Sequence, residues 1–119
     1  MGGATLGVAL LASAPAQASA HNCTEGGSNC IIVTGSGLKV TSIVGNYSPV
    51  PETMSGKIAK LRITLPGKRP KVYWENDSVR QGHSEDHNWD SYAKRYPDGT
   101  KICTGWKWTD ALACATVHD

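Results

Sequence analysis

The run His83-Ser84-Glu85-Asp86-His87, with Asp90 just beyond it, is the densest set of reactive side chains in the sequence. Imidazole and carboxylate are common ligands for divalent metals. A small ribonuclease would bring the same types, His83, His87, Glu85 and Arg80, onto a phosphate for acid–base work. On a helix His83 and His87 would share a face, but Gly82 and the polar run favour a loop. The order also departs from the H-E-x-x-H metalloprotease motif, because Ser84 stands where that motif has Glu. A solvated loop whose charges keep the surface wet is the favoured reading. A small hydrolase using His83, Glu85 and His87 is kept as an alternative. The sequence has no G-x-S-x-G elbow, no Walker loop and no dinucleotide fingerprint. No catalytic residue, metal or cofactor is therefore expected.

Contact chemistry is better represented. The aromatic set is four Trp, four Tyr and no Phe, so every ring carries a polar handle suited to a half-buried position or a contact surface. Trp106 and Trp108, with Tyr73 and Trp74, could anchor a protein partner. With no Phe to fill the interior, Trp106 and Trp108 are expected to be core. Lys60 and Arg62, with Lys68, Arg69 and Lys71 nearby, could meet an acidic partner or simply guard an edge strand against aggregation. Both readings stay open. The sequence holds 12 Lys+Arg against 10 Asp+Glu, a net charge of +2, which argues against a general nucleic-acid binder.

Residues 1–20 contain no charge, have an apolar core (Leu6, Val8, Leu10, Leu11) and end in Ala18-Ser19-Ala20. This reads as the apolar region and cleavage site of a secretory signal, without a basic start. It falls short of a membrane span, as does every later apolar run. Residues 21–119 are then one small, secreted domain with a limited core. The four cysteines, Cys23, Cys30, Cys103 and Cys114, allow three disulfide pairings. Closeness in sequence favours Cys23–Cys30 and Cys103–Cys114. Their spacing is too wide for a zinc knuckle.

The elements that must position these residues are strands. His21–Asn29 is polar, breaks at Gly26-Gly27, and reads as a flexible arm looped by its disulfide. Ile31–Thr34 and Leu38–Val44 read as strands around Gly35-Ser36-Gly37. Pro49 and Pro51 lie in a long loop, a candidate reactive element for an inhibitor. Over Lys57–Leu65, Ala59, Leu61, Ile63 and Leu65 fall on one face and Lys60, Arg62 and Thr64 on the other. Lys71–Trp74 begins another strand, and Glu75–Asn88 reads as a second long loop. Trp89, Tyr92 and Tyr96 suit a short helix, though a strand is possible. Thr100–Trp108 alternates again, Thr109–Ala113 is a connection, and Cys114–Val117 is a last strand; paired as a hairpin, these set Cys103 opposite Cys114. The expectation is an all-β, small antiparallel β-sandwich of six to seven short strands with two local disulfides.

The layout Cys23…Cys30-Ile-Ile-Val, Gly37-Leu38-Lys39-Val40, Tyr96-Pro97-Asp98-Gly99-Thr100-Lys101-Ile102-Cys103 and Ala113-Cys114-Ala115-Thr116-Val117-His118 resembles small secreted actinobacterial two-disulfide proteins. Among them it is similar to the adaptor subunit of umbrella toxin particles. The resemblance implies a β-sandwich without catalytic activity. It implies a link between a lectin-bearing subunit and a repeat-containing toxin subunit, made by strand complementation. The expected contact residues are His21, Asn22 and Thr24 of the arm, with Lys60 and Arg62 of the basic face. Neither nucleic acid nor membrane is an expected partner. The competing expectations are a hydrolase inhibitor or stand-alone antimicrobial, and the small hydrolase above.

Overall fold

The computed structural model describes residues 19–50 and 58–119. Most of the expected leader, and the loop from Pro51 onward, lie outside the described residues. The described chain forms nine strands: β1 Ala20–Cys23, β2 Asn29–Ser36, β3 Lys39–Tyr47, β4 Ala59–Thr64, β5 Lys71–Glu75, β6 Val79–Gln81, β7 Ser84–Asn88, β8 Lys101–Trp106 and β9 Thr109–Thr116. They make two antiparallel sheets, one ordered β9-β8-β4-β5 and the other β1-β2-β3-β7-β6.

The all-β, two-sheet expectation holds, with more strands than the six or seven expected. The additional strands come from segments too polar to show a hydrophobic alternation. The first is β1, made of Ala20 from the end of the expected leader and His21–Cys23 of the expected arm: Ala20 pairs with Val33, and Cys23 sits opposite Cys30. The others are β6 and β7, inside the expected second loop, where Arg80 pairs with Glu85 and Gln81 with Ser84. Trp89–Tyr96 holds only one short turn of 3-10 helix, Asp90–Tyr92.

Alternation fixes the core. In β4, Ala59, Leu61 and Ile63 point inward and Lys60, Arg62 and Thr64 outward. Ile31, Val33, Val40 and Ile43 meet them from the facing sheet, along with Ile102, Trp106, Ala113 and Ala115 from β8 and β9. Trp106 is buried as expected; Trp108 is half-buried and stacks on it at 5.0 Å. The connection expected at Thr109–Ala113 lies earlier, at Lys107-Trp108, because Thr109 pairs back with Trp106. The register then slips between Thr109 and Ala113.

Each sheet carries one covalent stitch between neighbouring strands, and a buried side chain bridges the two layers. Cys23–Cys30 and Cys103–Cys114 are both disulfides, and each joins residues directly opposite in register. Asn29, expected in the arm, is instead buried at the start of β2. Its amide donates to the carbonyls of Thr104 at 3.3 Å and Ala111 at 3.1 Å, so one side chain bridges the two sheets. The sheets approach closely at that point: a Cβ on Gly45 would lie 3.1 Å from Thr104 Cβ, so only glycine fits there without displacement.

Candidate functional site: the open edge of the four-stranded sheet

A sandwich of two open sheets has four edges, and they differ. β9 lies over β1 and β2, and Asn22 donates from its side chain to the Cys114 carbonyl at 2.9 Å, which ties that side shut. β6 is only three residues long. β5 pairs with β4 and, like the other edge strands, with no second described strand; it differs in being longer than β6 and in lacking a tie like that of β9. Its side chains do not blunt it. Val72 is 43% exposed and Trp74 51% exposed on the outer face, where Lys60 Nζ stands 5.3 Å from the Trp74 ring. An exposed apolar edge strand is a template for another strand, and folded proteins usually protect it.

Each end of β5 opens into a cleft of its own character. At the Glu75 end a cleft of about 860 Å³ is lined by Glu75, Asp77 and Asp90 beside Trp74. Behind it lies His87, buried on the inner side of β7. His87 Nε2 is 2.7 Å from Glu75 Oε1, and Nδ1 is 3.6 Å from Asp77 Oδ1. The ring packs edge-on against Trp89, with centroids 4.5 Å apart. Glu75, Asp77 and His87 each have one donor atom within 4.8 Å of the others, a set able to hold a divalent metal. The 2.7 Å bond already gives Nε2 a partner, so this cluster serves first to clamp β7 to the end of β5. His21, Cys23 and Cys30 also lie close together, but both sulfurs are in the disulfide.

At the Lys71 end a second cavity, of about 290 Å³, has Tyr73, Tyr92 and Tyr96 in its wall and Lys68, Arg69, Lys71 and Lys94 around it. Tyr73 and Tyr92 pack at 4.5 Å, and the Tyr96 hydroxyl donates to the Tyr92 carbonyl at 2.5 Å. Burial, then the neighbouring Tyr73 and Tyr92, push the Tyr96 phenol up to about 12.

Comparison with protein-family models, with curated proteins and with solved structures finds no match to this chain. The molecule's own geometry therefore has to carry the functional reading.

The residues singled out in the sequence scatter across this geometry. Glu85 and His87 are buried at 2% and 4% exposure, not solvated as the loop reading required. Glu85 accepts a hydrogen bond from Ser78, at 2.5 Å, while His87 meets Glu75 and Asp77. His83 is exposed at the β6–β7 turn, and among the described residues no hydrogen bond or ion pair joins its side chain to Glu85 or His87. His21 is exposed on β1, Asn22 is spent on Cys114, and the Thr24 backbone closes a turn with Gly27 and Asn29. Lys60 and Arg62 lie on the outer face of the four-stranded sheet. Arg62 there approaches Cys103 Sγ at 4.0 Å, beside the disulfide. The sequence points to Tyr73 and Trp74 as contact residues and to Lys68, Arg69 and Lys71 as a basic patch, but not to the edge of β5 as the element that carries them, nor to the joining of Tyr73 with Tyr92 and Tyr96.

Proposed function

We propose that this chain is a secreted, non-catalytic adaptor that links other proteins by accepting a partner strand on the free edge of β5. The free edge of β5, with Val72 and Trp74 exposed beside it, carries this reading: main-chain donors and acceptors along an edge supply affinity, and flanking pockets supply specificity. Two disulfides in a small domain fit an oxidising compartment, and no helix among the described residues is long and apolar enough to cross a membrane. The resemblance to umbrella toxin adaptors supplies the partners, a lectin-bearing subunit and a repeat-containing toxin subunit. On this reading β1, with exposed His21, serves a second partner.

The test is affinity capture of the tagged chain from culture supernatant, beside a Val72→Lys/Trp74→Glu variant. Recovery of both subunits, with one lost in the variant, is the expected result. Recovery of the bait alone would overturn the adaptor reading, and growth arrest of a competitor by the purified chain would replace it with a stand-alone antimicrobial.

A further inference from the structure

The cavity at the Lys71 end of β5 gathers Lys68, Arg69, Lys71 and Lys94 with no acidic residue in its wall. None of the four is neutralised: among the described residues every ion pair is made by a histidine, His87 or His118. Lys94 Nζ instead stands 5.4 Å from the Tyr96 ring. Four uncompensated cations around one concave, partly apolar site focus a positive field into it. The phenols do not cancel that field, because a phenol is neutral at about pH 7, and burial raises those of Tyr92 and Tyr96 further. The cavity is about the size of one or two side chains.

The opposite end of the same edge is negative, with Glu75, Asp77 and Asp90 around its cleft. β5 runs from Lys71 to Glu75, so the edge carries a charge gradient along its length. A strand added antiparallel, like every neighbour in this sheet, would end at the cation cavity. A strand added parallel would bring its C-terminal end to the carboxylates.

We infer that the cavity walled by Tyr73, Tyr92 and Tyr96 receives carboxylate side chains that follow the C-terminal end of an antiparallel partner strand on β5. This rests on the strand-addition reading and specifies its partner: an extended protein segment, uncharged along the edge and acidic where it ends. Attraction at the cation cavity and repulsion at the acidic end then select orientation as well as identity, since the wrong direction sets like charges together.

The test uses the full chain and two fluorescein-labelled peptides, Thr-Val-Thr-Val-Thr-Glu-Asp-Glu and its twin with the acidic triplet placed first, read by fluorescence anisotropy. The C-terminally acidic peptide is expected to bind about tenfold tighter or more, the effect of roughly one good charge contact. Lys68→Glu/Lys94→Glu should abolish that preference. Lys101→Glu/Lys107→Glu, with the same charge change at exposed positions outside the cavity, should keep it. All four side chains are exposed, so folding is checked simply by unchanged thermal unfolding. Equal binding of the two peptides, or a preference surviving Lys68→Glu/Lys94→Glu, would overturn the acidic-partner inference and leave strand addition standing. No binding of either peptide would overturn both.

Discussion

Asn29→Asp changes one atom type at the bridge between the sheets, and its cost should depend on pH in a calculable way. Asn29 is 1% exposed and spends both amide hydrogens on the carbonyls of Thr104 and Ala111. Removing two such bonds costs about 2 kcal/mol, at roughly 1 kcal/mol each, which sets the expectation for Asn29→Ala. An ionised aspartate adds a buried charge facing two carbonyl oxygens. Full burial raises a carboxyl pKa by about 3–5 units, equivalent to roughly 4–7 kcal/mol at 1.4 kcal/mol per unit. That is about half of the roughly 5–15 kcal/mol that holds a domain together. The sign follows from linkage: the folded pKa is raised above the unfolded value near ~3.9, so the folded state holds its proton more tightly. The variant's deficit is therefore smallest at and below about pH 4. It should grow by ~1.4 kcal/mol per pH unit until the folded pKa is passed. Urea unfolding followed by Trp fluorescence from about pH 4 to about pH 8, for wild type and both variants, measures it. A deficit for Asn29→Asp that stays flat across that range, or an Asn29→Ala cost near zero, would refute the bridging role.

Removing each disulfide as a Cys→Ala pair should cost about 2.3 kcal/mol for Cys23–Cys30 and about 2.8 kcal/mol for Cys103–Cys114, from separations of 7 and 11 residues. Denaturant midpoints under non-reducing conditions check both, and equal stability with and without either bridge would contradict the estimate. Tyr96, raised to about 12, gives the fold stability that is fully present below about pH 10 and is lost as pH climbs through its folded pKa, up to roughly 2–3 kcal/mol. Ultraviolet phenolate titration should show Tyr96 ionising last, and Tyr96→Phe should flatten the alkaline loss while giving up about 1 kcal/mol of hydrogen bond to the Tyr92 carbonyl. Gly45→Ala should destabilise by about 1–3 kcal/mol through overpacking. Adding Thr104→Ala should restore little, because the 3.1 Å conflict is with Thr104 Cβ itself.

What could be read from the sequence was whatever declares itself by apolar alternation. β4 did so, with Ala59, Leu61 and Ile63 inward, and the nearness of each cysteine pair matched residues that face each other in register. β7 could not declare itself, because its inward positions are Glu85 and His87. Their burial is offset by Ser78 and by Glu75 and Asp77, partners that no periodicity predicts. β1 is equally silent: Ala20-His21-Asn22-Cys23 pairs through its backbone and its disulfide, and burial of its side chains has little part in it. Asn29 looked like the end of a polar arm for the same reason. The candidate site failed to show because Lys71–Glu75 and Tyr92–Tyr96 are distant in sequence and meet only through folding.

The unequal sheets give the β5 edge a further rationale. β9 lies over β1 and β2, and β8 over β2 and β3, so the layers are aligned from the Asn22 side. Continuing that stacking, β4 and β5 pair off with β3 and β7, and four strands run out while β6 still remains in the five-stranded sheet. The His87–Glu75 contact between β7 and β5 fits that alignment. A fifth strand on β5 would extend the four-stranded sheet on the β6 side of the sandwich and run between the clefts at the two ends of β5. It would bury apolar surface near Tyr73 and satisfy the free backbone groups of Lys71–Glu75, two gains that an isolated chain forgoes. Strand addition at β5 would thus equalise the layers, whereas addition at β9 would extend a side that Asn22 already closes.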